Sequence, residues 1–176
     1  MKKFMMGAAA FCCMIISSVA LTACGDDNNE DSEPVINPNA PKEAVMEVKF
    51  LESQDILDVC DATVACNGGT EETVTTPKWT KTIKTNELPT HFSVKAKLTK
   101  KAGKDWDPEK NYFAYLIPVS VTVYTLNAEG TKRTLVDNNN VNNSGHYKGN
   151  GAIDIAFEVF SNYSAEYTIN KNGVLE

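Results

Sequence analysis

Two cysteines, two histidines and one carboxylate-rich loop are the reactive candidates in the body of this 176-residue chain. Cys60, Ala62, Val64 and Cys66 share one parity, so a continuous strand puts both sulfurs on one face. At about 3.3 Å per residue their Cα atoms would stand ~20 Å apart, whereas a disulfide needs less than about 7 Å. No Gly or Pro between them folds the segment back. An oxidising compartment would favour a bridge if the strand broke near Asp61, but the spacing favours two buried thiols acting as small hydrophobes. It is not a Cys-x-x-Cys pair, and only His91 and His146 are present to complete a zinc set or activate a thiol.

A hydrolase needs a nucleophile with a base, paired carboxylates or a metal. His91 follows Leu88-Pro89-Thr90 at an outward strand position, and His146 lies in the Asn-rich loop 138–150. Neither stands in a motif that would make it a general base. The sequence has no phosphate-cradling Gly loop, nucleophile elbow or His-Glu-x-x-His helix. In Asp105-Trp106-Asp107-Pro108-Glu109-Lys110-Asn111, alternating oxygen donors suggest a calcium loop. However, Pro108 stiffens it, the sharp-turn Gly is missing and no bidentate Glu follows. A polar hairpin loop with Trp106 folded back onto the domain fits better. The loop 137–143 offers many amides but one carboxylate, and reads as a polar strand connection. No catalytic residue, metal ligand or cofactor is therefore expected.

Trp79 and Trp106, with Tyr112, Tyr115, Tyr124 and Tyr147, have flat faces suited to stacking on sugar C–H groups. Packing at the ends of a β-sandwich uses the same residue types. Trp79 and Trp106 form the candidate ligand platform.

The last reactive side chain is Cys24, which closes Leu21-Thr22-Ala23-Cys24. Met1-Lys2-Lys3 supplies a positive start, and residues 4–19 carry no charge. That run is short for a transmembrane span of ~20 residues and ends in small residues before the Cys. The pattern resembles the lipobox of bacterial lipoproteins: Leu at −3, small residues at −2 and −1, then Cys. The resemblance covers about the first 25 residues. It implies that residues 1–23 are a signal peptide removed by signal peptidase II, taking Cys12 and Cys13 with them. Cys24 then becomes the lipid-attachment residue, bearing a diacylglyceryl thioether and often a third acyl chain. Each inserted CH₂ contributes about 0.8 kcal/mol, and two or more chains hold a protein stably. The implied location is the outer membrane of a Gram-negative bacterium.

Residues 25–33 contain five acids and no base or apolar side chain, and Pro34, Pro38 and Pro41 follow. Such a segment cannot bury enough apolar area to offset ordering, so 24–43 reads as a lipidated, disordered acidic tether. It would span roughly 25 Å as a flexible coil. An acidic tract directly after the acylated Cys resembles the pattern of lipoproteins flipped to the cell exterior. Without residues 1–23 the chain holds 15 bases and 23 acids, a net charge of −8. That balance argues against nucleic acid as a partner.

Residues 44–176 are long enough for one domain. Period-two alternation dominates it. Residues 92–98 alternate apolar and polar, as do 153–159 and 163–169. Further strands are expected at 44–50, 57–66, 79–85 and 132–136, and along 112–126, where Pro118 predicts a bulge or an edge. No window of a dozen residues shows a helical stripe. About seven to nine short strands predict an all-β, antiparallel β-sandwich, immunoglobulin-like, with an up-and-down barrel as the alternative. Three function classes follow. The first is a membrane-anchored, non-catalytic binding, accessory or structural lipoprotein, with a glycan or an envelope protein as partner. The second is a lipocalin-like carrier with an apolar cavity. The third and most remote is a hydrolase, which requires His91 or His146 to meet a carboxylate or a Cys in space.

Overall fold

The structure, a computed structural model, describes residues 37–176 apart from positions 141 and 150. The signal segment, Cys24 and the acidic part of the tether lie outside the described residues. Residues 41–43, expected to belong to the tether, are part of the first strand. Ala40 N–H donates to Asn37 O at 3.0 Å to close a turn, and the first strand starts at Pro41.

The elements in chain order are β1 (Pro41–Leu51), α1 (Gln54–Val59), β2 (Cys60–Cys66), β3 (Glu72–Val74), β4 (Lys78–Thr85) and β5 (Thr90–Lys100). There follow β6 (Asn111–Tyr115), β7 (Val119–Asn127), β8 (Lys132–Asn138), β9 (Ser144–Lys148), α2 (Gly151–Phe160) and β10 (Asn162–Ile169). One antiparallel sheet has the order β4-β1-β7-β8 and a second the order β10-β5-β2-β3, while β6 and β9 pair separately.

The alternating sequence explains which faces meet. Ala44, Met46, Val48 and Phe50 of β1 and Val119, Val121 and Val123 of β7 turn inward from the first sheet. Phe92, Val94, Ala96 and Leu98 of β5 meet them from the second, with Ala62 and Val64 of β2. Each fully buried side chain of the Val, Met or Phe kind contributes about 1.5–3 kcal/mol, so this shared layer holds the sheets together. Along one flank the edge strands β3 and β4 are joined by an ion pair between Glu72 and the inward-pointing Lys81. An inward charge on an edge strand also discourages pairing with another chain.

The fold is an all-β antiparallel sandwich, not a closed barrel, so the lipocalin-like alternative lacks its architecture. An immunoglobulin sandwich places its first strand at a sheet edge. Here β1 is central, between β4 and β7, and the immunoglobulin-like arrangement is not confirmed.

Four local expectations are corrected. Residues 153–159, read as a strand, form α2. Ile153, Ile155, Phe157 and Val159 fit a period of two, but Ile153, Ala156 and Phe157 fit a helical stripe equally, and a short apolar run does not separate the two. Tertiary contacts decide. Ile153 and Ala156 are buried and Asp154 is held by Trp106, while Ile155 and Val159 stay 69 % and 68 % exposed. The strand expected at 57–66 starts only at Cys60, because the Ser53 hydroxyl caps Ile56 N–H at 3.2 Å and begins α1. The run 112–126 is two strands in different sheets, and Pro118 marks the crossing, its carbonyl accepting Leu51 N–H at 2.7 Å. In the Asn-rich segment, residues 144–148 pair with β6, and Asn140 is buried, bonded to Ser120 and to the Val119 carbonyl. Gly149 passes so close to the Asp107 carbonyl oxygen that a Cβ there would overlap it. Among the described residues no helix is long and apolar enough to cross a membrane.

Candidate functional site

Of the residues the sequence singles out, Cys24 lies outside the described part. Trp106 is only 5 % exposed. Its ring packs edge-on against Tyr112 at 5.2 Å and Phe157 at 5.9 Å, with the Lys100 ammonium 5.3 Å from its centroid. Its Nε1–H donates to Asp154 Oδ1 at 2.6 Å. Those neighbours cover the surface a sugar would need, so Trp106 is a packing residue and the two-Trp platform does not form. Trp79 is half-buried against the core on β4. Tyr112 is buried, and Tyr124 is buried on the outer side of β7, donating to Glu47 at 2.8 Å beneath Lys132. Trp106 and Tyr112 pack together, while Trp79 on β4 and Tyr124 on β7 belong to other parts of the sandwich.

Cys60 and Cys66 are buried free thiols on one face of the continuous β2, as their shared parity predicts. Burial raises both thiol pKa values, that of Cys60 to about 12, so neither is a thiolate nucleophile near neutral pH. His91 Nδ1 lies 3.2 Å from Thr168 Oγ1, and the His146 ring tilts against Phe113 at 5.2 Å. Among the described residues neither ring has a hydrogen-bonded carboxylate or thiol. In the loop after β5, Asp105 pairs with Lys100 at 3.0 Å, Glu109 with Lys148 at 3.3 Å, and Asp107 accepts Glu109 N–H at 2.9 Å. Lysines and backbone amides thus occupy the oxygens that a calcium loop would turn inward. No group of three or more metal-binding side chains occurs among the described residues.

Two features that sequence reasoning missed stand out. The first is Glu52, 2 % exposed where β1 leaves its sheet. Its Oε1 accepts Ser53 N–H at 2.9 Å and Tyr115 N–H at 3.2 Å, while the buried Oε2 has no hydrogen-bond partner. Burial pushes its pKa up to about 7, against the opposing pull of those two amides. It ties the end of β1 to β6, and its charge adds to the burial that keeps the neighbouring Cys60 thiol protonated.

The second is a groove of about 390 Å³ on the outward face of the β10-β5-β2 sheet. Register builds it in two rows: Asn162, Lys97 and Thr63 stand abreast, and next to them Ser164, Lys95 and Ala65. Glu71, just before β3, borders it. Both lysines are exposed, and neither has a carboxylate partner among the described residues. This arrangement can bind through charge and hydrogen bonds but offers no base or nucleophile.

No protein-family model, curated protein or solved structure matches this chain. The groove therefore rests on its own geometry. Its lysines were visible as the polar half of the β5 alternation. Their companions on β10 lie more than sixty positions away, and only strand register brings them alongside.

Proposed function

We propose that this chain is a membrane-anchored envelope lipoprotein whose β-sandwich is a non-catalytic binding, accessory or structural module. The observation that carries the reading is Leu21-Thr22-Ala23-Cys24 behind a positive start and an uncharged run. Lipid on Cys24 holds the protein at the outer membrane of a Gram-negative cell, and the acidic tract after it supports display on the outer surface. A glycan or another envelope protein is the class of partner.

Phase separation in detergent tests the anchor. The wild-type chain should enter the detergent phase and Cys24→Ser the aqueous phase, while equal partitioning would refute it. In the same cells, replacing Asp26, Asp27, Glu30 and Asp31 with Ala should lower cleavage by external protease. Unchanged cleavage would remove the acidic tract from the account of surface display.

A further inference from the structure

We propose that the groove on the outward face of β10-β5-β2 binds an acidic sugar, with Lys95 and Lys97 recognising its anionic group. The proposal rests on the reading of the chain as a binding module, and adds to it a place and a ligand class.

Charge comes first. The chain is acidic overall, with a formal net charge of −6, and Lys81, Lys84, Lys100, Lys101, Lys110 and Lys148 each hold a carboxylate. Among the described residues Lys95 and Lys97 hold none, as is also true of Lys49 and Lys78, but Lys95 and Lys97 stand two positions apart on a strand flanked on both sides. Alternate residues of a strand lie about 7 Å apart on one face, so the two ammonium groups repel each other. An anion between them converts that repulsion into two charge-assisted hydrogen bonds.

Shape and chemistry narrow the class. The groove exists because short side chains (Thr63, Ala65, Ser164) surround the two long ones; Thr63, Ser164 and Asn162 set hydroxyl and amide groups beside the charges on a lining that is otherwise mostly apolar. Hydroxyl and amide groups both donate and accept, which suits a ligand covered in hydroxyls. Ala65, with Ala96 and Tyr163 lower in the groove, offers contact for the C–H groups of a sugar ring. Glu71 at the border accepts from neutral hydroxyls and repels a second anionic group on that side. One acidic group among hydroxyls, as in a uronate or a sulfated sugar, matches all four features.

Calorimetric titration of the full, acylated protein in detergent micelles tests this. The probes are galacturonate oligomers, neutral galactose oligomers of equal length, sulfated galactose oligomers and inorganic sulfate. An acidic oligomer should bind saturably, and the neutral one at least about tenfold more weakly. Lys95→Gln with Lys97→Gln should weaken binding by at least about tenfold without moving the melting temperature, because both side chains are exposed. Lys49→Gln with Lys78→Gln, exposed lysines outside the groove, should bind as wild type. Preference between carboxylated and sulfated oligomers identifies the anionic group. No saturable binding, equal binding by the Lys95/Lys97 variant, or inorganic sulfate binding as tightly as the oligomers would overturn the proposal. Detergent partitioning of the same preparation separates the two claims: protein that partitions but does not bind refutes the groove alone.

Discussion

Glu52→Gln should remove most of the loss of stability that the wild-type protein suffers as pH rises through the weakly acidic range. In the unfolded chain this carboxyl ionises near pH 4.5, whereas burial holds it protonated up to about pH 7 in the folded state. Between those values the folded protein binds more protons, so stability falls as pH rises and levels off above about 7. The interval corresponds to about 3 kcal/mol, at 1.36 kcal/mol per pKa unit. Gln keeps an oxygen for the Ser53 and Tyr115 amides and never ionises. At about pH 8 the variant should be more stable by up to about 3 kcal/mol, or roughly 8 °C in melting temperature. At about pH 4.5 the two proteins should melt together, or the variant slightly lower, because its extra amide hydrogens find no acceptor near Oε2. Thermal melts across this range check the result. Parallel curves for wild type and variant would show that Glu52 is not protonated in the fold.

Trp106→Ala should destabilise the protein by about 3–5 kcal/mol, roughly 10 °C or more in melting temperature. Three losses combine. The indole leaves a cavity between Tyr112 and Phe157, Asp154 loses its Nε1–H donor, and Lys100 loses the ring beneath it. Asp154 sits in the first turn of α2, so the helix should loosen first, and proteolysis within residues 151–160 should accelerate before global unfolding. Trp106→Phe should recover part of the packing but not the hydrogen bond. A variant melting within about 1 °C of wild type would mean that Trp106 is a surface residue after all, and would restore it to the ligand platform.

These two residues also show what the sequence could reveal. Strands with one packed and one wet face were legible from alternation at 92–98 and 163–169, and the further strands expected at 79–85 and 132–136 also lie within observed strands. The thiols were legible because parity and reach are fixed by strand geometry. Residues 153–159 were not, because their apolar pattern serves either period and Trp106, far earlier in the chain, makes the helix the better answer. Glu52 gave no local signal: an acid next to Ser53 at a strand end looks solvated. Its burial follows from Pro77, Tyr115 and Pro118 converging on that corner. The groove was half legible, since β5 displayed its lysines but not their neighbours on β10.

In the proposed function, attachment through Cys24 is what holds the sandwich and its groove at the membrane. The mass of the N-terminal peptide of membrane-extracted protein tests it most directly. The account predicts a peptide that begins at Cys24, lacks residues 1–23 and carries a diacylglyceryl group, with or without a further acyl chain. A peptide that starts elsewhere, or an unmodified Cys24, would contradict it.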